Sequence, residues 1–253
     1  MLQPKSRIKL DFDQHWQDNL LQEISQVKIR EAEVFLRPVI GLLRAKPIDV
    51  LDVGCGDGVH WRYIMSLGNR KIRYTGIDIS PVAIKQIRGL AVSSPDRFYV
   101  ADAVKLPEGE NTYDIVFSFG VVAYTSNSRG CFGEMCRVCR PGGWVGIWVY
   151  PQRHGIGGLI FRLTRFLCGV VGDFWTRRIA DLIVPFLGLL PTRSNLSLRN
   201  ATWQQCREVV LVNIAPQQLS FFDHDEIVSW FLENGIEIKY EDPLNPITIW
   251  GRK

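Results

Sequence analysis

No apolar run in this 253-residue sequence approaches the roughly 18–20 residues a helix needs to cross a bilayer. The longest stretch in its most apolar region, Leu182 to Leu190, is far shorter and is interrupted by Pro185. No secretory leader is expected, because Lys5, Arg7, Lys9, Asp11, Asp13 and Asp18 break up the first thirty residues. The expectation is therefore a cytoplasmic protein. Internal repeats and low-complexity tracts are absent. Lysine is missing altogether between Pro151 and Ala215, where eight arginines and only three acids stand. A lysine-free, strongly apolar basic region is a poor phosphate-tracking groove, which argues against nucleic acid as a partner.

The six cysteines, at 55, 131, 136, 139, 168 and 206, include a C-x4-C-x2-C spacing at Cys131, Cys136 and Cys139. That spacing resembles part of an iron–sulfur ligand set, but CFGEMCRVCR reads as a helix running into Pro141-Gly142-Gly143 rather than a loop wrapped around a cluster. The expectation is reduced, half-buried thiols and no metal.

With 46% hydrophobic and 22% charged residues, the chain can build one sizeable core with an inserted lobe. Its net charge of +4 is unevenly held: residues 151–215 carry +5 and the remainder −1. Within the positive stretch, GIGGLIFRLTRFLCGVVGDFW and RRIADLIVPFLGLLP read as two amphipathic helices with spaced arginines. The boundaries expected are a single domain over 1–253, an N-terminal helical lid over 10–46 and a helical insertion over 151–222. Helical periodicity over 18–44 is divided by Pro38.

Elsewhere strand-like and helix-like runs alternate. Strands are expected at 48–53, 72–78, 97–102, 113–119 and 143–150, with helices at 58–67, from Pro81 to Val92 behind an Ser80 cap, and at 130–140. A helix at 224–234, opened by Asp223, leads into IEIKYED and ITIWGRK, which lie close enough to pair antiparallel. Alternation of this kind implies a parallel sheet covered by helices on both faces.

The first strand runs into VLDVGCGDGVH, with glycine at 54, 56 and 58. Such a turn presents bare backbone at the carboxyl edge of the sheet. A P-loop is excluded because no G-K-[ST] follows, and a dinucleotide fingerprint fails because Val59 stands where its third glycine belongs. The pattern hhDhGxGxG, followed by Asp78 in YTGIDIS, VADAVKLP, NTYDIVFSFGVVAY and EMCRVCRPGGWVGIWV, resembles the ordered motifs of the class I S-adenosylmethionine-dependent methyltransferases.

That resemblance implies a Rossmann-like, doubly wound, seven-stranded α/β sheet with an antiparallel last strand. It also implies S-adenosylmethionine as methyl donor. Asp52 would orient the methionine amino group, Gly54, Cys55, Gly56 and Gly58 would pack against carboxypropyl and ribose, and Asp78 with Ile79 would take the ribose. Asp102 and Ala103 would meet the adenine, and Phe119 would lie at the active-site edge. Should the acceptor need a base, His154 and Tyr124 are the candidates. His60 is expected at the surface or as a cap, and Phe12, His15 and Trp16 as closing residues of the lid. The acceptor implied is a small, hydrophobic organic molecule, with the methylated atom and the oligomeric state left open. Three further readings stand beside it: a membrane-surface lipid or quinone methyltransferase with peripheral bilayer contact, an NAD-dependent oxidoreductase, and a non-catalytic donor-binding protein.

Overall fold

The structure is a computed structural model that describes residues 26–45, 47–69, 71–91, 95–187, 203–214, 219–242 and 247–253. Phe12, His15 and Trp16, and with them much of the expected lid, lie outside the described residues. The chain divides into two compact units, Met1–Tyr150 with Phe222–Lys253, and Pro151–Phe221.

The first unit is built on seven strands: β1 (Ile48–Val53), β2 (Ile72–Asp78), β3 (Arg97–Val100), β4 (Tyr113–Phe119), β5 (Cys139–Val149), β6 (Glu237–Asp242) and β7 (Ile247–Arg252). They lie in the order β3-β2-β1-β4-β5-β7-β6. Strands β1 to β5 pair in parallel, whereas β7 runs antiparallel to both of its neighbours. Every residue of IDVLDV in β1 is buried, as a central strand covered on both faces requires. Its helices are α1 (Gln26–Leu36), α2 (Ile40–Ala45), α3 (Val59–Ser66), α4 (Pro81–Leu90) and α5 (Ser128–Val138), with α8 (His224–Glu233) after the second unit.

Local chemistry fixes the boundaries. Ser80 accepts from the Ala83 N–H and Pro81 opens α4, while Asn127 accepts from the Gly130 N–H to open α5. Pro38 sits in the 3-10 turn Arg37–Val39 that separates α1 from α2. On one face of the sheet, Phe35, Leu36, Val39 and Leu43 pack with Ile64, Tyr74, Phe117 and Trp250. The Trp250 indole N–H donates to the Phe35 carbonyl at 2.9 Å, tying the last strand to α1.

Several boundaries depart from the sequence expectation. β3 ends at Val100, so Asp102 lies beyond it in a turn. β5 begins at Cys139, not Gly143: its pairing jumps from Tyr113↔Cys139 to Ile115↔Trp144, and Pro141-Gly142-Gly143 forms the irregularity. The chain end holds it there, with Gly142 N–H donating to the Lys253 carbonyl and Lys253 N–H to the Gly143 carbonyl. Cys131, Cys136 and Cys139 are fully buried, not half-buried, and packing lifts each thiol to about 12, burial being the main cause.

The second unit contains α6 (Gly155–Leu187) and α7 (Trp203–Ile214). The two expected helices of this segment are thus one helical span, yet it is not straight. The Thr176 hydroxyl donates to the Cys168 carbonyl at 3.2 Å, eight residues back, where a straight helix would separate them by ~12 Å along its axis. The bend lets Cys168 share a small core with Ala180, Val184, Val210 and Ile214. Arg207 closes onto Asp181 beside it.

Candidate functional site

Neighbouring strands β1 and β4 send their chains to opposite flanks of the sheet, β1 toward β2 and β4 toward β5. A crevice outside the carboxyl ends of the strands opens at such a switch point. The Ser118 hydroxyl donates to the Val53 carbonyl at 2.9 Å and holds the two strand ends together there.

Gly54, Gly56 and Gly58 all adopt positive φ, at 89°, 47° and 75°. A side chain in that region costs roughly 1–2 kcal/mol in backbone strain alone. Space matters too: a methyl on Gly54 would sit 2.2 Å from the Val121 side chain, and one on Gly58 2.4 Å from Ile87. The loop after β4 and helix α4 therefore pack against the glycine turn from two sides. Part of what the glycines provide is close packing within the chain itself.

Asp78 fastens that turn. Its Oδ2 accepts from the Gly56 N–H at 3.1 Å and its Oδ1 from the Ser80 N–H at 2.9 Å. Cys55 gives its backbone N–H to the Ile77 carbonyl at 2.8 Å, while its side chain is buried against Gly76. Burial, reinforced by the carboxylates of Asp78 and Asp52, holds that thiol well above its ordinary pKa, so it is a neutral packing group.

Beneath the turn Asp52 is wholly buried. The Tyr74 hydroxyl donates to its Oδ2, and among the described residues its Oδ1 has neither solvent nor a hydrogen-bond partner. Burial raises this carboxyl to about 7; the Tyr74 hydrogen bond opposes the shift and the charges of Asp78 and Asp57 add to it. His60, expected at the surface or as a cap, is buried instead, with Nδ1 3.9 Å from Asp52 Oδ2. Its ring is surrounded by Phe35, Phe117 and Phe119 at centroid distances of 5.8, 5.4 and 5.0 Å. Burial pulls its pKa down to about 4. The inward face of α3 consists of His60, Trp61, Tyr63 and Ile64, and the N-cap of that helix is Gly58, which has no side chain to offer.

The remaining candidates are placed as follows. Asp102 Oδ1 accepts from the Val104 N–H at 3.0 Å, and Ala103 beside it is buried. Ile79 is half-buried. Phe119 stacks on Trp148 at 4.6 Å. Tyr124 lies edge-on to Tyr150, ring centroids 6.1 Å apart, and hydrogen-bonds with it. His154 is exposed in the second unit. Sequence reasoning did not single out Tyr74 or Val121, which only the tertiary fold brings to the glycine turn.

S-adenosylmethionine fits this set, because the buried Oδ1 of Asp52, without a hydrogen-bond partner among the described residues, lies beneath a glycine turn stapled by Asp78. A cationic ligand bearing N–H donors, directly or through water, answers that acceptor.

Sheet order and switch-point crevice together define a Rossmann-like fold of the methyltransferase type. Residues 51–147 match a family model described as a methyltransferase domain. Among known proteins, the chain is 33% identical over 135 residues to cycloartenol-C-24-methyltransferase of Arabidopsis thaliana, covering 52% of this chain and 38% of that protein. It is 30% identical over 113 residues to norajmaline N-methyltransferase of Rauvolfia serpentina, covering 43% and 38%. The matched segment thus spans well under half the length of these relatives. Among solved structures, magnesium protoporphyrin IX methyltransferase from Synechocystis PCC 6803 with bound SAH superposes with a TM-score of 0.60 at 14% identity, over 98% of this chain and 99% of that one. Residues 51–147 are thus similar to a methyltransferase domain, within a fold shared with S-adenosylmethionine-dependent methyltransferases of known structure.

Proposed function

We propose that this chain transfers a methyl group from S-adenosylmethionine to a small, hydrophobic organic acceptor. When bound, the donor supplies a methyl on a sulfonium, already activated for in-line displacement, so the protein's task is alignment and exclusion of water. Asp78 would accept the ribose hydroxyls, Asp52 the amino group, and Asp102 with Ala103 the adenine. Cys55, through its backbone, and Ile79 and Phe119 would line the same crevice. The observation that supports this most is the Asp78–Gly56 staple at the switch point, which fixes an acceptor group and a bare main chain in one place.

The acceptor class rests on the second unit, which is apolar, arginine-bearing and free of lysine. Sterol and alkaloid methyltransferases among the relatives are consistent with it. We assign the N-terminal segment 10–46 as a lid and 151–222 as the acceptor-side insertion, with peripheral membrane contact as the partner reading that the insertion's surface favours and the cytoplasm as the site of action. If the acceptor must lose a proton, Tyr124 and His154 are the bases to test. His154→Ala and Tyr124→Phe should each leave donor binding intact; the variant that removes the base cuts turnover roughly a hundredfold, and unchanged turnover removes that residue from the site. Parallel titrations with S-adenosylmethionine and NAD separate this reading from an oxidoreductase. Turnover across a panel of apolar acceptors separates it from a non-catalytic donor-binding protein.

A further inference from the structure

Helix α6 carries an apolar stripe that faces outward. Ile156, Leu159, Ile160, Leu163, Phe166 and Leu167 recur three and four residues apart, on one side of a helix. Each is more than half exposed, from 51% at Leu159 to 80% at Ile156, and Val170 continues the stripe at 69%. The helix does have an inward side: Phe161 packs against Phe221 at 5.3 Å, and Cys168 enters the small core of the unit. The outward stripe is therefore a second apolar face. Near the bend, Phe174 and Trp175 are 64% and 59% exposed, and the Arg178 guanidinium lies over the Phe174 ring at 5.6 Å.

Exposed Arg162 flanks the stripe, while Arg153 and Arg165 sit on the inward, Phe161 side of the helix. Arg153 lies over the Phe161 ring at 4.2 Å and Arg165 over the Phe221 ring at 5.4 Å, and with Arg162 they line a cavity of about 160 Å³. From 151 to 187 the sequence holds five arginines and, against them, only Asp173 and Asp181, the latter closed onto Arg207. A contiguous exposed apolar face of this extent marks a contact surface. Two-fold pairing with a second copy would set one arginine border against another with hardly a carboxylate between them. An anionic bilayer answers both halves of the surface, with acyl chains for the stripe and headgroup phosphates for the guanidiniums, which grip phosphate in a two-pronged fashion. Among the described residues no helix is long and apolar enough to cross a membrane, so the contact is one of lying on the surface.

We propose that the outward face of α6, from Ile156 to Val170 and on to Trp175, is a docking surface for anionic membranes, with Arg162 and, beside Phe174, Arg178 engaging lipid phosphates. This deepens the partner reading above and does not depend on methyl transfer. The test is sedimentation of the chain with vesicles containing about a third phosphatidylglycerol, and with vesicles of phosphatidylcholine alone, across a salt series. Binding to the anionic vesicles at low salt is expected, weaker by roughly tenfold or more on neutral vesicles and in high salt. The pair Leu163→Asp and Phe166→Asp should weaken anionic-vesicle binding at least about tenfold while the helical content read by circular dichroism is kept, which shows that the variant is folded. Arg162→Gln with Arg178→Gln should erase the preference for anionic lipid. Absence of sedimentation at low salt overturns the proposal, as does unchanged binding by the aspartate pair. A dimer that the aspartate pair dissociates, without vesicle binding, overturns it in favour of a second copy. Vesicle binding by a chain that ignores the donor supports the docking face and counts against the proposed activity alone.

Discussion

Asp78 performs two tasks with one carboxylate: it fastens the glycine turn through the Gly56 N–H and, in the proposed function, receives the donor's ribose. Asp78→Asn should therefore cost donor affinity more than a ligand contact alone, by roughly thirtyfold or more in a calorimetric titration, since a charged acceptor of two backbone donors is lost as well. Gly54→Ala places a methyl 2.2 Å from Val121 at positive φ, and a loss of about 2–4 kcal/mol in urea denaturation is expected. The buried pair Asp52 and His60 gives a pH signature. Unfolded, Asp52 titrates near 3.8, but folded it holds its proton to about 7, so its stabilising contribution is full below the first value and is lost as pH rises through the second. His60 acts in the opposite sense: its contribution is present above 6.5 and is lost as pH falls through about 4. In the wild-type chain the two partly cancel between pH 4 and 7. Asp52→Asn leaves only the His60 limb, so its stability should climb more steeply with pH across that window, and equal slopes in the two proteins would contradict a buried, protonated Asp52.

At the scale of elements, strands that are buried on both faces were the easiest to read. IDVLDV, IRYTGID and YDIVFSF begin and end in the structure where their apolar runs do, because a central parallel strand leaves no polar side to blur its limits. The start of β5 was illegible for a tertiary reason: Pro141-Gly142-Gly143 would end most helices in a turn, but here Lys253 holds it in the sheet as a bulge. The site divides the same way. Local spacing puts Asp52, the three glycines and Asp78 at strand ends and turns, where the structure has them, whereas Tyr74, His60 and Val121 reach the glycine turn only through strand pairing and α3 packing, which no window of sequence displays. Gly146 makes the same point for the core: a methyl there would lie 2.4 Å from the Trp250 indole, a partner more than a hundred residues away. Gly146→Ala should destabilise the first unit by about 2–4 kcal/mol in urea unfolding, and a change within about 0.5 kcal/mol would contradict the close packing of β7 on β5.

For the molecule as a whole, the second unit leaves and re-enters the first at adjoining points, since the Phe222 N–H donates to the Tyr150 carbonyl at 3.0 Å. Replacing residues 151–221 with a short glycine linker should yield a folded unit that keeps donor affinity within about threefold and loses vesicle binding. Failure of that unit to unfold cooperatively would contradict its independence. The whole reading turns on whether the glycine turn and its carboxylates hold an adenosyl sulfonium. Calorimetric titration of the chain with S-adenosylmethionine and S-adenosylhomocysteine, with NAD in parallel, measures this most directly: saturable heat with a Kd of roughly micromolar order for both S-adenosyl compounds, and none for NAD, is the expected result. Tight NAD binding without heat from either S-adenosyl compound would contradict it.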